Sequence, residues 1–213
     1  MLREVISNEW FTILIVLCLG VLAFAKFTFA IRFNEYLGVL GNSKYLKIYA
    51  REQKFIDQFD SLLFVNLIIS LSIFSFIAYN QLGGELLFDI LTFGRLMLGI
   101  GALLLIKIIF ERLIGSLFDI DALIDAYLFQ KTNYKNYLGL ILLPINVILI
   151  YGLTPSKGII IAVLILLFLI NLTGIFATFK NNQKLLLNNI FYFILYLCAL
   201  EIGPYIIIYK LFN

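Results

Sequence analysis

Glu201 lies near the centre of the apolar run Ile190–Tyr209, and Arg95 lies about five residues inside another, Ile90–Phe110. A charge at the middle of a membrane helix costs ~2.5–3.5 kcal/mol even on lenient insertion scales, so such residues are kept for a reason. Measured from the ends that share one side of the membrane, the two differ in depth by only ~5 Å at 1.5 Å per residue. An arginine side chain spans that gap, so the expectation is an Arg95–Glu201 pair. It reads either as a buried ion pair fixing helix order or as a proton- or ion-linked site, loosened by Pro204 one turn away. Lys26 and Lys107 sit near the ends of their runs, where long side chains snorkel to the headgroups.

Other chemistry is thinly supported. There is no histidine, which removes zinc-binding HExxH motifs and Ser-His-Asp hydrolases together. Cys18 and Cys198 lie within apolar runs and read as small buried hydrophobes, not as a disulfide or metal site. Asp119, Asp121 and Asp125 have no second acidic cluster to share a metal. No catalytic, cofactor-binding or metal-binding residue is predicted, and the chain is expected not to be an enzyme. The net charge of +3 comes without a basic groove of clustered Lys and Arg, so no nucleic-acid partner is implied.

The element positioning these residues is a lipid-embedded bundle. Of the 213 residues 62% are hydrophobic and 14% charged, with mean hydropathy +1.02. A water-soluble surface cannot be assembled from so little polar material. A spanning helix needs about 20 apolar residues. Leu62–Tyr79 and Gly158–Phe179 meet this without a charge; Phe11–Ala30, Ile90–Phe110 and Ile190–Tyr209 meet it with one or two. Leu138–Leu153, about 16 residues with Pro144 and Asn146, reads as a sixth span kinked at proline, with a re-entrant element as the alternative. Ala23-Phe24-Ala25 imitates a signal-peptidase site, but Glu4 and Glu9 make a poor basic leader, so the first run is kept as a span. The fold class is therefore all-α, a polytopic transmembrane bundle of about six spans. It is read as one integral membrane domain over 1–213: an extra N-terminal span at about 11–30, a cytoplasmic amphipathic segment at about 32–61 and a five-span core at about 62–209.

Basic residues set the orientation. Arg32, Lys44, Lys47, Arg51 and Lys54 fall in the first connection, Arg112, Lys131 and Lys135 in the third, and Lys180 and Lys184 in the fifth. The other side carries only Arg3, Lys157 and Lys210. The positive-inside rule puts the larger set in the cytoplasm, with both termini outside, periplasmic in an inner (cytoplasmic) membrane.

Two inner segments are amphipathic. In Ser43–Ser61, Tyr45, Ile48, Tyr49, Phe55, Ile56 and Phe59 recur at helical spacing between Lys44, Lys47, Arg51 and Lys54. This segment either lies on the anionic inner leaflet through those four basic residues or extends the second span. In Glu111–Tyr137, Leu113, Leu117, Ile120, Leu123, Ile124 and Tyr127 form a stripe that either packs on the bundle floor or docks a partner. Asn66 and Ser70 share a face, as do Asn171, Gly174 and Thr178; both read as helix packing, and Gly94, Gly99 and Gly101 suggest close approach in the third span.

The segments Gly41–Leu46, Glu111–Gly115, Tyr134–Gly139 and Glu201–Tyr205 resemble those of the domain of unknown function 4271 family, inner-membrane proteins of Bacteroidota. The resemblance covers nearly the whole chain and implies location and topology. More distantly, Leu62–Tyr209 is similar to the five-span core of Yip-type membrane proteins, a hint of fold alone.

The function expected is a multi-pass inner-membrane protein acting by interaction, as an assembly factor or subunit of an envelope complex. Its partners would be the bilayer and other envelope membrane proteins, and it needs no cofactor. The alternative is a small transporter or ion pathway centred on Glu201.

Overall fold

The computed structural model describes residues 9–39, 44–49, 57–84, 89–118, 121–152 and 155–181. Among them all regular structure is helical. In chain order the elements are α1 (Glu9–Thr28), α2 (Ala30–Leu37), α3 (Lys44–Tyr49), α4 (Gln58–Leu82), α5 (Ile90–Leu117), α6 (Asp121–Val147), a π turn (Ile148–Gly152) and α7 (Lys157–Asn181). Five of the described helical stretches are long and apolar enough to cross a membrane: Glu9–Thr28, Gln58–Leu82, Ile90–Leu117, Ile124–Gly152 and Lys157–Gly174. The run Ile190–Tyr209 lies outside the described residues.

α4 is the central helix. It packs against α1, α5, α6 and α7, most extensively against α6. Of its most apolar window 56% is buried, against 11% in α5 and in α7. A helix apolar on every side belongs inside a bundle, whereas the exposed leucines, isoleucines and phenylalanines of α5 and α7 suit a lipid solvent. Caps fix where the helices start: the Asp57 carboxylate accepts from Phe59 N–H at 3.1 Å, and that of Asp89 from Thr92 N–H at 3.4 Å. α4 ends at Gly83, whose φ of +127° few side-chain-bearing residues adopt.

Helix length departs from the sequence reading. Glu111–Tyr137 is not one connecting segment; it holds the end of α5, at Leu117, and the first half of α6, from Asp121. Its apolar stripe divides accordingly, with Leu113 and Leu117 exposed and Ile124 and Tyr127 buried. Periodicity continues through both halves, so it gives no sign of the turn. The described part of Leu138–Leu153, up to Gly152, lies in a helical stretch long and apolar enough to span, and that helix starts at Asp121 and runs through Pro144 into the π turn. Proline removes one intrahelical donor and crowds the preceding turn, a standard cause of local rewinding.

The short helices close one end of the bundle, called here the basic end. Tyr36, Val39, Tyr45, Leu46, Phe59 and Phe129 are buried together with Ala25, Phe33, Leu63 and Tyr134 in one core there. The apolar side of α3 and the start of α4 thus faces protein. Two further clusters fill the interior, one of α1 with α4, α5 and α6 around Phe11, Cys18, Ile73 and Leu143, the other of α4 with α6 and α7 around Phe74, Leu142 and Ile160.

Glycines decide the closest approaches, and only some of those the sequence pointed to, Gly101 and Gly174 but not Gly94 or Gly99, are among them. A Cβ on Gly94 or Gly99 would meet nothing within 4 Å, while one on Gly101 would touch Ile68 at 3.3 Å. The tight positions are Gly139, 2.6 Å from the Leu67 Cα; Gly115, 2.9 Å from the Ile124 Cβ; and Gly174, 2.8 Å from the Tyr134 ring. Counting glycines along a helix does not say which face meets a neighbour.

Candidate functional site

Arg32 organises the basic end. Its guanidinium donates to the Asp57 carboxylate, to Asp60 at 3.3 Å and, through Nε, to the Tyr45 hydroxyl at 3.0 Å. It also lies over the rings of Phe59 and Tyr49, 4.7 and 4.8 Å from their centroids. Burial opposes its charge, but Tyr45, Asp60 and Asp57 outweigh that cost and raise its pKa. One residue of α2 thereby ties α3 to the first turn of α4. Burial also pushes the phenols of Tyr36 and Tyr45 above their usual value, so both stay neutral at physiological pH. Tyr36 uses its proton on the Asn133 carbonyl at 2.8 Å, and Tyr137 uses its own on the Leu37 carbonyl at 3.2 Å. α2 is thus held to α6 as firmly as to α4.

A polar seam runs along the α4–α6 interface. Asn136 Nδ2 donates to the Asp60 carbonyl at 3.2 Å, and Asn146 Nδ2 to the Ser70 carbonyl at 2.8 Å. Both bonds join residues 76 apart, which makes α4 and α6 parallel and in one register over ~15 Å at 1.5 Å per residue. Gly139 presses on Leu67 between them. Asn66 and Ser70 share the buried face the sequence predicted. The Asn66 amide, however, has no hydrogen-bond partner among the described residues at either polar atom. Substituting an unmet buried amide by an apolar group of similar size removes a desolvation penalty. Asn66→Leu is therefore expected to raise stability by about 1 kcal/mol, read as a higher unfolding midpoint in detergent; a lower midpoint would mean that the amide has a guest.

A second ion cluster joins α5 to α6. Glu111 is 1% exposed, takes a hydrogen bond from Lys131 Nζ at 2.6 Å and lies 4.0 Å from Lys107 Nζ. Lys107, expected only to snorkel, belongs to this group. Glu111→Gln should cost about 1.5–3 kcal/mol, the range for a hydrogen bond to a charged group, and Lys131→Met in the same background should restore part of it, since the lysine then has no charge left unpaired. Thermal melts of the two variants check both statements.

Of the other predicted site residues, Arg95 is exposed on α5, and Glu201 lies outside the described residues, as do Arg51 and Lys54. Lys44 and Lys47 are on α3 beside the buried Tyr45 and Leu46. Sequence reasoning passed over Asp57, Asp60, Asn133 and Asn136 and counted Arg32 only as a topological charge. The one available signal was two aspartates three apart at the end of a connection of mixed charge. Between α4, α5, α6 and α7 there is a cavity of about 240 Å³, walled by leucines and Phe168, with Lys135 and Asn171 as its polar residues. No group of three or more His, Cys, Asp or Glu suited to a metal occurs among the described residues.

Residues 11–212 match the family described as a domain of unknown function (DUF4271). Neither the curated proteins nor the solved structures give a match.

Proposed function

The chain belongs to the domain of unknown function 4271 family, and we propose that it serves as a non-enzymatic interaction or assembly component of a bacterial inner membrane. The observation carrying this reading is the cross-braced platform at the basic end. There α2, α3, the first turn of α4 and the first half of α6 share one core and one hydrogen-bond network centred on Arg32. A rigid surface built from helices beyond the apolar windows is what docking to a partner requires, since pre-organisation lowers the ordering cost of binding. The positive-inside rule turns this platform to the cytoplasm, because Lys26, Arg32, Arg112, Lys131 and Lys135 all cluster toward that end. On that orientation the Glu9 end of α1 faces the periplasm; the sixth run, Ile190–Tyr209, lies outside the described residues. Crosslinking in native membranes followed by mild solubilisation and pull-down tests the proposal. A discrete complex is expected; recovery of the monomer alone would refute it.

A second reading, a small transporter or ion pathway centred on Glu201, draws support from the unmet Asn66 amide inside a spanning helix. It requires Glu201→Gln to abolish function while leaving expression and folding intact. Normal function in that variant rules it out.

A further inference from the structure

Among the described residues, three buried oxygen atoms at the foot of the α4–α6 seam have no hydrogen-bond donor: Asp60 Oδ1, Asn136 Oδ1 and Asn133 Oδ1. They are not scattered. Asn136 places its amide on the first turn of α4, with Nδ2 bonded to the Asp60 carbonyl. Asn133 is one turn away on the same face of α6, a separation of about 5–6 Å between Cβ atoms, and its Nδ2 is already committed to the Phe129 carbonyl at 2.9 Å. Both asparagines are 0% exposed. Asp60 uses its other oxygen, Oδ2, on Arg32, which leaves Oδ1 open.

The unmet atoms are all acceptors. A guest that needed to accept a hydrogen bond would find nothing here, whereas a guest with positive charge would find three oxygens. The ionised groups brought together by these contacts are Arg32, Asp57 and Asp60. Among the described residues in these contacts, one guanidinium against two carboxylates leaves a single negative charge in a partly buried place, the amount that one monovalent cation neutralises. Of the titratable groups packed around it, Tyr36 and Tyr45 are held neutral by burial, Tyr137 packs on Tyr36, and Tyr49, over Arg32, gives its proton to the exposed Glu35 at 3.1 Å. Hard cations prefer carboxylate and amide oxygens.

We infer that Asp60, Asn136 and Asn133 form a binding site for a partly hydrated alkali cation, which keeps water as its remaining ligands and locks the foot of α4 to α6. Access is from the basic end, where the side chains of Asp57 and Asp60 keep 24% and 16% exposure.

The test is the unfolding midpoint of the full chain in detergent, titrated with sodium chloride, potassium chloride or choline chloride at constant ionic strength. Sodium or potassium, at about ten times its dissociation constant, should raise the midpoint by roughly 3–6 °C, saturably; choline should not. Asn136→Ala keeps the Arg32–Asp60 pair and should lose the cation response, as should Asp60→Asn where it folds. A midpoint that rises equally with choline overturns the site, as does a cation response that persists in Asn136→Ala. So does a midpoint that follows pH but no alkali cation, because a proton on Asp60 would then be the guest.

Discussion

Gly139→Val should be among the most damaging single substitutions in this protein, with a loss of about 3 kcal/mol, the upper part of the range for overpacking. A side chain at this position would begin 2.6 Å from the Leu67 Cα and 3.1 Å from its backbone nitrogen. Those are main-chain atoms of the central helix, and they cannot turn aside as a flexible side chain would. The helices would have to move apart, and the in-register hydrogen bonds from Asn136 and Asn146 would lengthen together. Gly139→Ala should cost about half as much, since one methyl group asks for a smaller displacement. Gly99→Ala is the control: nothing lies within 4 Å of its Cβ position, and alanine is the better helix former. Fluorescence-detected size exclusion and thermal melts of the three variants provide the comparison. Equal midpoints for the Gly139 and Gly99 substitutions would mean that α4 and α6 are not in contact at this point.

Arg32→Ala is expected to be comparably severe, at about 3 kcal/mol. Removing one partner from a buried ion group leaves the other charge uncompensated, and typical losses run from about 3 to 5 kcal/mol. The lower bound applies because Asp57 and Asp60 keep some access to water. The variant would also lose the stacking on Phe59 and Tyr49 and the bond to Tyr45, so α3 should detach from α4. Limited proteolysis reads this out separately from global unfolding, by new cleavage between α2 and α4. Arg32→Lys keeps the charge without the planar fork and should recover about half the loss, because an ammonium cannot serve two carboxylates and a phenol in one plane. Full stability in Arg32→Ala would remove the clamp from the account of the basic end.

The bundle was legible because lipid leaves a strong imprint on sequence. Runs such as Leu62–Tyr79 need no partner to be recognised, since transfer energetics alone select them. The shared face of Asn66 and Ser70 was legible for a related reason, the fixed spacing of helical neighbours. Arg32 was harder. A charge count registers its sign but not its surroundings, and Asp57 and Asp60 lie about 25 residues further on, at the far end of a connection that carries more basic than acidic residues. The first half of α6 was missed as part of a long helix because it is mixed in polarity, with Asp121, Asp125, Gln130, Lys131 and Asn133 set among its apolar residues. Asn133 and Asn136 looked like loop residues for the same reason. Their chemistry arises only when α6 is laid beside α4, a tertiary fact without a local signature.

The 76-residue spacing of the two seam bonds also has a temporal meaning. A ribosome delivers α4 to the bilayer with Asn66 and Ser70 already aboard, well before the asparagines of α6 have been synthesised. α5 must cross in the opposite direction before the partner strand of the seam arrives. Until then the carbonyls of Asp60 and Ser70 wait for their asparagine donors, and a nascent chain stalled just before Asn136 holds α4 without either seam bond.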